Sequence, residues 1–262
     1  MKKYWESFKI AFSMFSKIPM PESEWTEENM EYTMLFFPFV GTVTGLLLYA
    51  AALALSWLGL ARGQLFRVAV LTLLPLIVTG GIHLDGFLDV SDAMSSWQER
   101  DRRLEILKDS HAGAFAIIRG IMFIILYMGA VSLLEPKTYV LVIFALTMNR
   151  ACIAYTVVTW DKARPTGTVA AFSRAAGTRV IQVWSVFLAL VSLAATIGFH
   201  MSAGVCVGAA LIGTLLYYRH LSYHYFGGIN GDLAGWCNEV SELVMLLALA
   251  LLTAWRGGSL WS

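Results

Sequence analysis

Three aspartates, Asp85, Asp89 and Asp92, are spaced four and then three residues apart in the segment 80–92. On a helix this spacing places the three carboxylates along one stripe. No basic residue follows before Arg100, so these like charges repel one another unless a cation lies between them. Carboxylate oxygens, together with substrate phosphates, are the ligands that Mg²⁺ prefers. The stripe therefore predicts a magnesium site; a solvated acidic face is the weaker interpretation, because an apolar segment immediately precedes it.

A second acidic cluster lies at the start of the last apolar segment. It contains Asp232, Asn238, Glu239 and Glu242, and the four-residue spacing of Asn238 and Glu242 places them on one helix face. Acidic residues near a helix N-terminus also stabilise the helix dipole, but this cluster holds more carboxylates than capping requires. Two acidic clusters predict one shared site for one or two divalent metals, which would clamp a pyrophosphate and stabilise a phosphoryl displacement.

Several polar residues near these clusters are candidates for binding phosphate. Lys108 and Asp109 precede a run of small residues, where a lysine either holds a phosphate as a point charge or extends to the membrane interface. Lys162 and Arg164 lie in a polar, glycine-containing loop that suits a mobile anion-binding lid, and an ordinary loop is the equal alternative. Arg150 lies deep in an apolar segment, where a charge is costly and usually functional.

The histidines and cysteines indicate no zinc site. His83 precedes the aspartate stripe by two residues and is a candidate for orienting a phosphate or a carboxylate. No pair of histidines has other potential zinc ligands at a suitable spacing, and oxygen-rich surroundings favour Mg²⁺ over zinc. The three cysteines are far apart and form no metal or disulfide pattern. The sequence also lacks the Walker A, Rossmann and Gly-x-Ser-x-Gly motifs.

The amino-acid composition is that of a membrane protein. Hydrophobic residues make up 58% and charged residues 14% of the 262 residues, whereas soluble proteins average about 45–50% and about 25%. A soluble core cannot absorb this excess of apolar residues. The net charge of +1 is uninformative by itself, and no nucleic-acid partner is expected. We therefore predict an all-α fold, a polytopic helical integral membrane protein whose partner is the lipid bilayer.

Seven apolar segments approach the roughly 20 residues that a helix needs to span a bilayer. They cover residues 32–60, 64–82, 112–134, 138–160, 179–200, 202–218 and 240–256. The fifth and sixth are nearly contiguous, which predicts either a tight helical hairpin or that one of the two is short. Residues 4–16 alternate apolar and polar side chains at helical spacing over a shorter length, and this pattern predicts an N-terminal amphipathic helix in the membrane interface.

Most basic residues in the loops lie on one side of this topology, which the positive-inside rule makes the cytoplasmic side. Both acidic clusters lie there, so the active site is expected to face the cytoplasm. No internal repeat divides the chain, and we predict a single domain, 1–262. Its parts are an N-terminal interfacial segment, 1–31, and cytoplasmic active-site loops at 83–111, 161–178 and 219–239.

Six short motifs occur in a fixed order along almost the whole chain. They are Phe-Ser-Lys-Ile-Pro-Met-Pro at 15–21, Gly-Ile-His-Leu-Asp-Gly at 81–86, Leu-Glu-Ile-Leu-Lys-Asp-Ser at 104–110, Gly-Ala-Phe at 113–115, Gly-Gly-Ile-Asn-Gly-Asp at 227–232 and Asn-Glu-Val-Ser-Glu at 238–242. Each motif alone is weak, but His-Leu-Asp-Gly followed by Lys-Asp-Ser in a polytopic protein is specific. In these motifs the chain resembles the cobalamin synthase family, the adenosylcobinamide-GDP ribazoletransferases.

The resemblance implies a Mg²⁺-dependent reaction in a bacterial-type cytoplasmic (inner) membrane. Members of this family join α-ribazole, or its 5′-phosphate, to adenosylcobinamide-GDP and release GMP, giving adenosylcobalamin or its phosphate. Further partners to expect are a second copy of the chain or other enzymes of the corrinoid pathway. This chemistry agrees with the acidic clusters, since an alcohol would attack a metal-held pyrophosphate.

The residues divide into three predicted roles under this hypothesis. The metal and diphosphate ligands are Asp85, Asp89, Asp92, Asp232 and Glu239. The catalytic residues are Asp89, Asp92 and His83, with Asp89 or Asp92 deprotonating the ribazole hydroxyl by analogy with metal-dependent alcohol phosphotransferases. The substrate-binding residues are Lys108, Asp109, Arg150, Lys162, Arg164, Asn238 and Glu242.

Three other functions are weaker alternatives. CDP-alcohol phosphotransferases carry an Asp-Gly pair followed by Ala-Arg, but here Met94 follows Ala93. Aromatic prenyltransferases carry Asn-Asp-x-x-Asp, which this chain lacks. A cation-coupled transporter predicts inverted repeats and charges near the bilayer midplane, whereas here the acids cluster at one membrane face.

Overall fold

A computed structural model describes residues 2–109 and 111–261, and this part of the chain is almost entirely helical, with no strand. The α-helices are α1 (Lys2–Phe15), α2 (Glu27–Met30), α3 (Thr33–Trp57), α4 (Leu65–Thr79), α5 (Ile82–Ser95), α6 (Arg100–Ile106), α7 (Ala114–Leu133), α8 (Tyr139–Thr159), α9 (Thr168–Ala175), α10 (Thr178–Phe199), α11 (Met201–Leu221) and α12 (Gly231–Trp255). The predicted all-α class is confirmed.

Six helices of the described chain are long and apolar enough to cross a membrane: α3, α7, α8, α10, α11 and α12. A seventh span exists only if α4 and α5, which meet at a 94° bend, form one broken crossing. The prediction of about seven spans is confirmed in this sense. The segment 64–82 does not yield a full span by itself, because the 15 residues of α4 extend only about 22 Å, less than the ~30 Å hydrocarbon core. The protein is a multi-pass membrane protein.

Two consecutive glycines make the bend between α4 and α5. Gly80 and Gly81 have φ angles of 67° and 74°, in the left-handed region that glycine adopts without steric cost. The side chain of Lys17 lies where a Cβ on Gly80 would be, and the Lys17 backbone N–H donates to the Val78 carbonyl oxygen at 2.7 Å. The bend turns the aspartate-bearing helix α5 away from the axis of α4.

The last helix begins earlier than predicted. The predicted span 240–256 starts at Gly231 in the structure, and the Asn230 side chain caps it by accepting from the Leu233 N–H at 2.8 Å. Much of the segment 219–239 is therefore helical rather than a loop, and α5 and α6 likewise occupy most of 83–111. Polarity suggested loops there, but these polar side chains lie on helices that contact one another.

Helix α8 lies at the centre of the bundle and packs closely on α3. A Cβ on Gly41 would lie 2.5 Å from the Leu146 carbonyl oxygen, and one on Gly45 would lie 2.6 Å from the Ile143 Cα. Small residues allow such backbone-to-backbone contact in membrane proteins. The predicted hairpin is confirmed, since only His200 separates α10 from α11.

The N-terminal amphipathic helix is confirmed as α1, and it packs on α3. Its apolar side chains Ile10 and Phe12 are buried. Lys9 is also buried; its ammonium group forms an ion pair with Glu6 at 2.9 Å and donates to the Glu22 carbonyl oxygen at 2.8 Å. Hydrogen bonds from Ser23 and Lys9 lower the pKa of Glu6. Helix α1 thereby covers one side of the bundle next to α5.

Candidate active site

Helices α5 and α12 approach each other so closely that only glycine fits at the contact. A Cβ on Gly86 would lie 2.7 Å from the Asp232 carbonyl oxygen, and one on Gly235 would lie 3.1 Å from the His83 carbonyl oxygen. This close approach brings two sequence motifs that are almost 150 residues apart in the chain into one site. The acidic end of α12 therefore lies beside the aspartate stripe of α5.

Three carboxylates, Asp85, Asp89 and Asp232, form what we call the crevice carboxylates. Asp85 is exposed and the other two are partly exposed. Asp89 is repelled by Asp85, Asp92 and Asp232, and Asp232 is repelled by Asp85. None of the three forms an ion pair with any residue that the structure describes. Within residues 2–109 and 111–261, the only direct hydrogen bond to this group comes from the Asn230 amide, which donates to Asp232 Oδ2 at 3.1 Å.

The donor set of the crevice suits Mg²⁺, which prefers oxygen ligands. Within residues 2–109 and 111–261, no three His, Cys, Asp or Glu side chains converge closely enough to hold an ion by themselves. Mg²⁺ does not require such a set, because proteins usually bind it through one or two carboxylates plus waters and substrate phosphates. The crevice carboxylates therefore fit a metal that arrives with a phosphate substrate, and the metal site stays a prediction.

Asp92, the third member of the stripe, has a different environment from its neighbours. Its Oδ2 accepts from the Gly113 N–H at 2.5 Å, and its Oδ1 accepts from the Ala116 N–H at 2.8 Å. Both oxygens thus satisfy backbone donors at the start of α7 that have no partner within the helix. The predicted metal and base roles of Asp92 remain predictions, and this capping interaction competes with both. Sequence spacing on α5 alone did not reveal it.

A cavity of about 180 Å³ opens beside the crevice carboxylates. Asp85, Asp232 and His83 contribute its polar lining, and the remaining walls are mainly apolar. The aromatic wall residues are Phe15, Phe37 and Phe172, from α1, α3 and α9. Phe15 belongs to the motif at 15–21, but no pattern predicted a role in binding for any of the three phenylalanines, because nothing in their spacing distinguishes a cavity wall from ordinary core packing.

A second polar group, which we call the buried polar cluster, lies inside the bundle. It consists of Tyr127 on α7, Asn149 and Arg150 on α8, and Asn238 and Glu242 on α12. Arg150 Nη2 lies 3.6 Å from Glu242 Oε2, and the Tyr127 hydroxyl donates to Glu242 Oε1 at 2.9 Å. The Asn149 amide donates to the Asn238 carbonyl oxygen at 3.0 Å and to its Oδ1 at 3.3 Å.

The buried polar cluster is shielded from solvent and from the cavity. Arg150 and Glu242 are 1% and 2% exposed, and Glu239, which interacts electrostatically with both, is also buried. None of the three lines the cavity, and neither does Asn238. The predicted substrate contacts of Arg150, Asn238 and Glu242, and the metal role of Glu239, gain no support from this geometry, which favours helix association.

The predicted phosphate-binding residues lie outside the crevice. Lys108 and Asp109 are exposed after α6, and hydrogen bonds from His111 lower the pKa of the Asp109 carboxyl. The neighbouring Ser110 of the Lys-Asp-Ser motif lies outside the described residues. Lys162 donates to the Trp160 carbonyl oxygen, and burial lowers the pKa of its ammonium group. Arg164 is partly exposed.

The segment 161–178, predicted as an active-site loop, contains the short helix α9. Its residues Thr168, Val169 and Phe172 line the cavity. The backbone of Ile229 holds the start of this segment, because its N–H donates to the Asp161 carbonyl oxygen and its carbonyl accepts from the Ala163 N–H at 2.8 and 2.9 Å. This part of the chain therefore contributes an apolar wall to the site.

Comparison with known proteins places the chain in an enzyme family. A family model described as cobalamin-5-phosphate synthase matches residues 7–250. The chain is 38% identical to the adenosylcobinamide-GDP ribazoletransferase of Lachnoclostridium phytofermentans over 252 residues, 95% of each chain. It is 33% identical to the enzyme of that name from Desulfitobacterium hafniense strain Y51, covering 94% of this chain and 96% of the relative. It is 30% identical to the one from Clostridium botulinum strain Alaska E43, covering 97% and 100%. No solved structure matches.

These matches extend over almost all of the described fold, including the crevice carboxylates on α5 and α12 and the helices that hold them. Together with the multi-pass architecture, they establish that this chain belongs to the cobalamin-5-phosphate synthase family, whose members are membrane transferases of cobalamin biosynthesis.

Proposed function

We propose that this protein joins α-ribazole, or α-ribazole 5′-phosphate, to adenosylcobinamide-GDP in a Mg²⁺-dependent reaction. The ribazole hydroxyl oxygen forms a bond to the phosphorus on the corrinoid side of the diphosphate. The bridging P–O bond breaks, and GMP leaves with the bridging oxygen. The hydroxyl proton passes to a carboxylate of the enzyme. The products are GMP and adenosylcobalamin or its phosphate.

The observation that carries this proposal is the close contact of α5 and α12, which gathers three carboxylates that have no cationic partner among the described residues. Asp85 and Asp89 lie on one helix and Asp232 on the other. Like charges gathered without neutralisation cost free energy, and a divalent cation that arrives with a diphosphate would remove this cost. The names of the relatives, which specify an adenosylcobinamide-GDP substrate, agree with a site built for a diphosphate.

We assign roles to residues of the crevice on the basis of their surroundings. Asp85 and Asp232 line the cavity and reach solvent, so we take them to mark its mouth, where they would hold Mg²⁺. Asp89, whose oxygens accept no hydrogen bond from any described residue, would accept the hydroxyl proton; Asp92 is less suited, because both its oxygens cap α7. When bound, Mg²⁺ would neutralise the charge that develops on the phosphoryl oxygens.

The orientation in the membrane is part of the same proposal. The crevice would face the cytoplasm, where the excess of basic loop residues belongs under the positive-inside rule. Lys108, Lys162 and Arg164 lie in loops on this side of the predicted topology. They would attract the anionic substrates towards the crevice through long-range electrostatics, without necessarily contacting the reacting phosphorus.

A turnover assay on the purified full-length protein in liposomes tests the proposed function. Adenosylcobinamide-GDP and α-ribazole 5′-phosphate are supplied with and without Mg²⁺, and both GMP and the corrinoid product are followed. We expect equal amounts of GMP and corrinoid product with Mg²⁺ and neither product with excess chelator. Absence of product with every divalent metal from folded protein would contradict the proposal. GMP without corrinoid product would show that the protein hydrolyses the donor instead of transferring it to α-ribazole 5′-phosphate, which would also contradict the proposal.

A further inference from the structure

The cavity beside the crevice carboxylates has a largely apolar lining, which the transfer of a phosphoryl group does not require. Its walls come from six helices, α1, α3, α5, α8, α9 and α12, and most of the lining residues are apolar. We propose that this cavity binds the planar aromatic base of the nucleoside acceptor, so that the base is buried while its sugar lies at the mouth. This inference rests on the proposed function and adds the location and the basis of acceptor recognition.

The size of the cavity selects among the aromatic groups of the two substrates. Its volume is about 180 Å³, and an apolar protein cavity of about 150 Å³ is known to take up benzene. A one-ring or compact two-ring base fits this space. A corrin macrocycle, which has four reduced pyrrole rings and many amide side chains, does not. The corrinoid must therefore lie outside the cavity.

The polarity of the walls separates the two bases that are small enough to enter. The guanine of the donor carries several hydrogen-bond donors and acceptors on its edges. The few polar lining residues, His83, Asp85, Thr168 and Asp232, can pair only some of them, and the apolar walls would leave the rest unpaired at about 1–3 kcal/mol each. The base of α-ribazole is a dimethylated benzimidazole with methyl groups and ring nitrogens only. Met14, Met34, Ile153 and Val157 line the cavity and match such an apolar edge.

Aromatic rings form much of the remaining wall. The ring of His83 stacks on Phe15 at a centroid distance of 6.0 Å and an interplanar angle of 18°, and it meets Phe37 edge-on at 5.8 Å. Phe172 of α9 lies 6.0 Å from Phe15. Aromatic pairs in offset or edge-on geometry are favourable beyond the area that they bury. A planar base entering this space would extend an aromatic assembly that already exists.

One polar atom in this wall lacks a partner. His83 is 5% exposed, and its Nε2 is buried without a hydrogen-bond partner among the described residues. A buried nitrogen without a partner is destabilising. A ring nitrogen of a bound base could form the missing hydrogen bond with His83 Nε2, because neutral imidazole can either donate or accept at this atom. This assigns His83 to binding of the base rather than to orienting phosphate.

The mouth of the cavity agrees with this orientation. Asp85 and Asp232 belong both to the cavity lining and to the crevice carboxylates, so a sugar attached to a buried base would emerge beside them. The site for the base and the site for the chemistry are therefore contiguous. The cavity would then position the reacting hydroxyl by anchoring the base, in addition to contributing affinity.

A substitution that fills the cavity tests the inference. Val169 lines the cavity from α9 and is 9% exposed, and Val169→Phe would place a phenyl ring in the proposed site. We expect the KM for α-ribazole to rise about tenfold or more, as for loss of binding alone, while the KM for adenosylcobinamide-GDP stays within about twofold. The matched control is Val186→Phe on the outer face of α10, where the valine is 47% exposed; it should behave as the parent protein.

Equilibrium dialysis with labelled α-ribazole separates failure of this inference from failure of the proposed function. If the parent protein turns over and Val169→Phe leaves the KM for α-ribazole unchanged, the inference is overturned and the function stands. A rise only in the KM for adenosylcobinamide-GDP would also overturn it, because the cavity would then bind the donor. If the parent protein does not turn over, dialysis decides: binding lost in Val169→Phe but not in Val186→Phe supports the cavity, and any other result overturns it.

A second variant covers the case in which Val169→Phe does not fold. Phe172→Leu removes one aromatic wall and enlarges the cavity instead of filling it. We expect weaker α-ribazole binding by several-fold and an unchanged KM for adenosylcobinamide-GDP. Unchanged α-ribazole binding in folded Phe172→Leu would overturn the inference.

Discussion

Helix α12 carries two groups of acidic residues with opposite surroundings. Asp232, at its start, belongs to the crevice carboxylates and has no cationic partner among the described residues. Glu242, three turns further along, is 2% exposed and is held by Arg150 at 3.6 Å and Tyr127 at 2.9 Å. The two groups look alike in sequence, since both are short runs of polar residues beside apolar ones. Their partners distinguish them.

From this difference we infer which carboxylates take part in the proposed chemistry and which stabilise the structure. A charge buried in a helical bundle persists only when it is paired, and Glu242 meets this condition within the protein. The crevice carboxylates do not, and they reach solvent; under the proposed function, a divalent cation that arrives with the diphosphate substrate would supply the missing positive charge. We therefore expect substitutions in the crevice to remove activity with little loss of stability, and substitutions in the buried polar cluster to destabilise the protein.

The largest effect on activity is expected for Asp89→Asn. The substitution keeps the shape of the side chain but removes the proposed proton acceptor, so turnover should fall roughly 10²–10⁴-fold. Thermal stability in detergent should stay the same or rise, because one of several repelling charges is removed. Product formation and the unfolding temperature are measured together. Asp101→Asn on the exposed face of α6 is the matched control and should leave both unchanged; near-normal turnover in Asp89→Asn would refute its catalytic role.

The next largest effect is a loss of stability in Glu242→Leu. This change leaves the Arg150 guanidinium, 1% exposed, without a counter-charge, and we expect a loss of about 3–5 kcal/mol. The measurement is reversible unfolding in mixed micelles. The double variant Arg150→Met, Glu242→Leu should recover most of the loss, since two apolar residues replace the ion pair. If the double variant is as unstable as the single one, the ion pair is not the cause.

Gly86→Ala tests the contact that links the two regions. The new Cβ would lie 2.7 Å from the Asp232 carbonyl oxygen, so α5 and α12 must separate at a cost of about 1–3 kcal/mol. A displacement near 1 Å at a catalytic site can reduce turnover about 10²-fold, and we expect a decrease of that order.

Gly129→Ala is the matched control for this prediction. Gly129 lies on α7, and a Cβ there would meet nothing within 4 Å. Alanine has a higher helix propensity by about 1 kcal/mol, so this variant should be at least as stable as the parent protein and fully active. Equal turnover of Gly86→Ala and Gly129→Ala would show that the close contact of α5 and α12 does not position the carboxylates.

The smallest effect is expected for Tyr127→Phe. It removes the hydrogen bond to Glu242 Oε1 and leaves the ion pair with Arg150, so the loss should be about 1–2 kcal/mol. Activity per folded molecule should be unchanged, because Tyr127 does not line the cavity. Tyr155→Phe, at a tyrosine that is 38% exposed, should change stability by much less. A loss of turnover in folded Tyr127→Phe would place the buried polar cluster in the reaction.

Local sequence patterns predicted much of the fold. The apolar segments predicted the spanning helices, the run 4–16 predicted α1, and the aspartate spacing predicted a helix that is observed as α5. These features depend on residues close together in the chain, where composition and periodicity carry the information. The boundary of α12 was wrong for the same reason, since polar residues inside a helix resemble a loop when their partners on α7 and α8 are unknown.

The spacing of the acidic residues and the apolar composition were sufficient to predict an acidic, oxygen-rich site in a membrane protein, because carboxylates along one helix face repel one another and oxygen is the ligand that Mg²⁺ prefers. It did not show that Asp92 caps α7, that Glu242 pairs with Arg150, or that three phenylalanines enclose a cavity. Those assignments depend on contacts between helices distant in sequence, and these contacts arise where glycines such as Gly86 and Gly235 let two backbones meet. Packing of the helices therefore decides which acids remain unpaired and free to take part in the reaction.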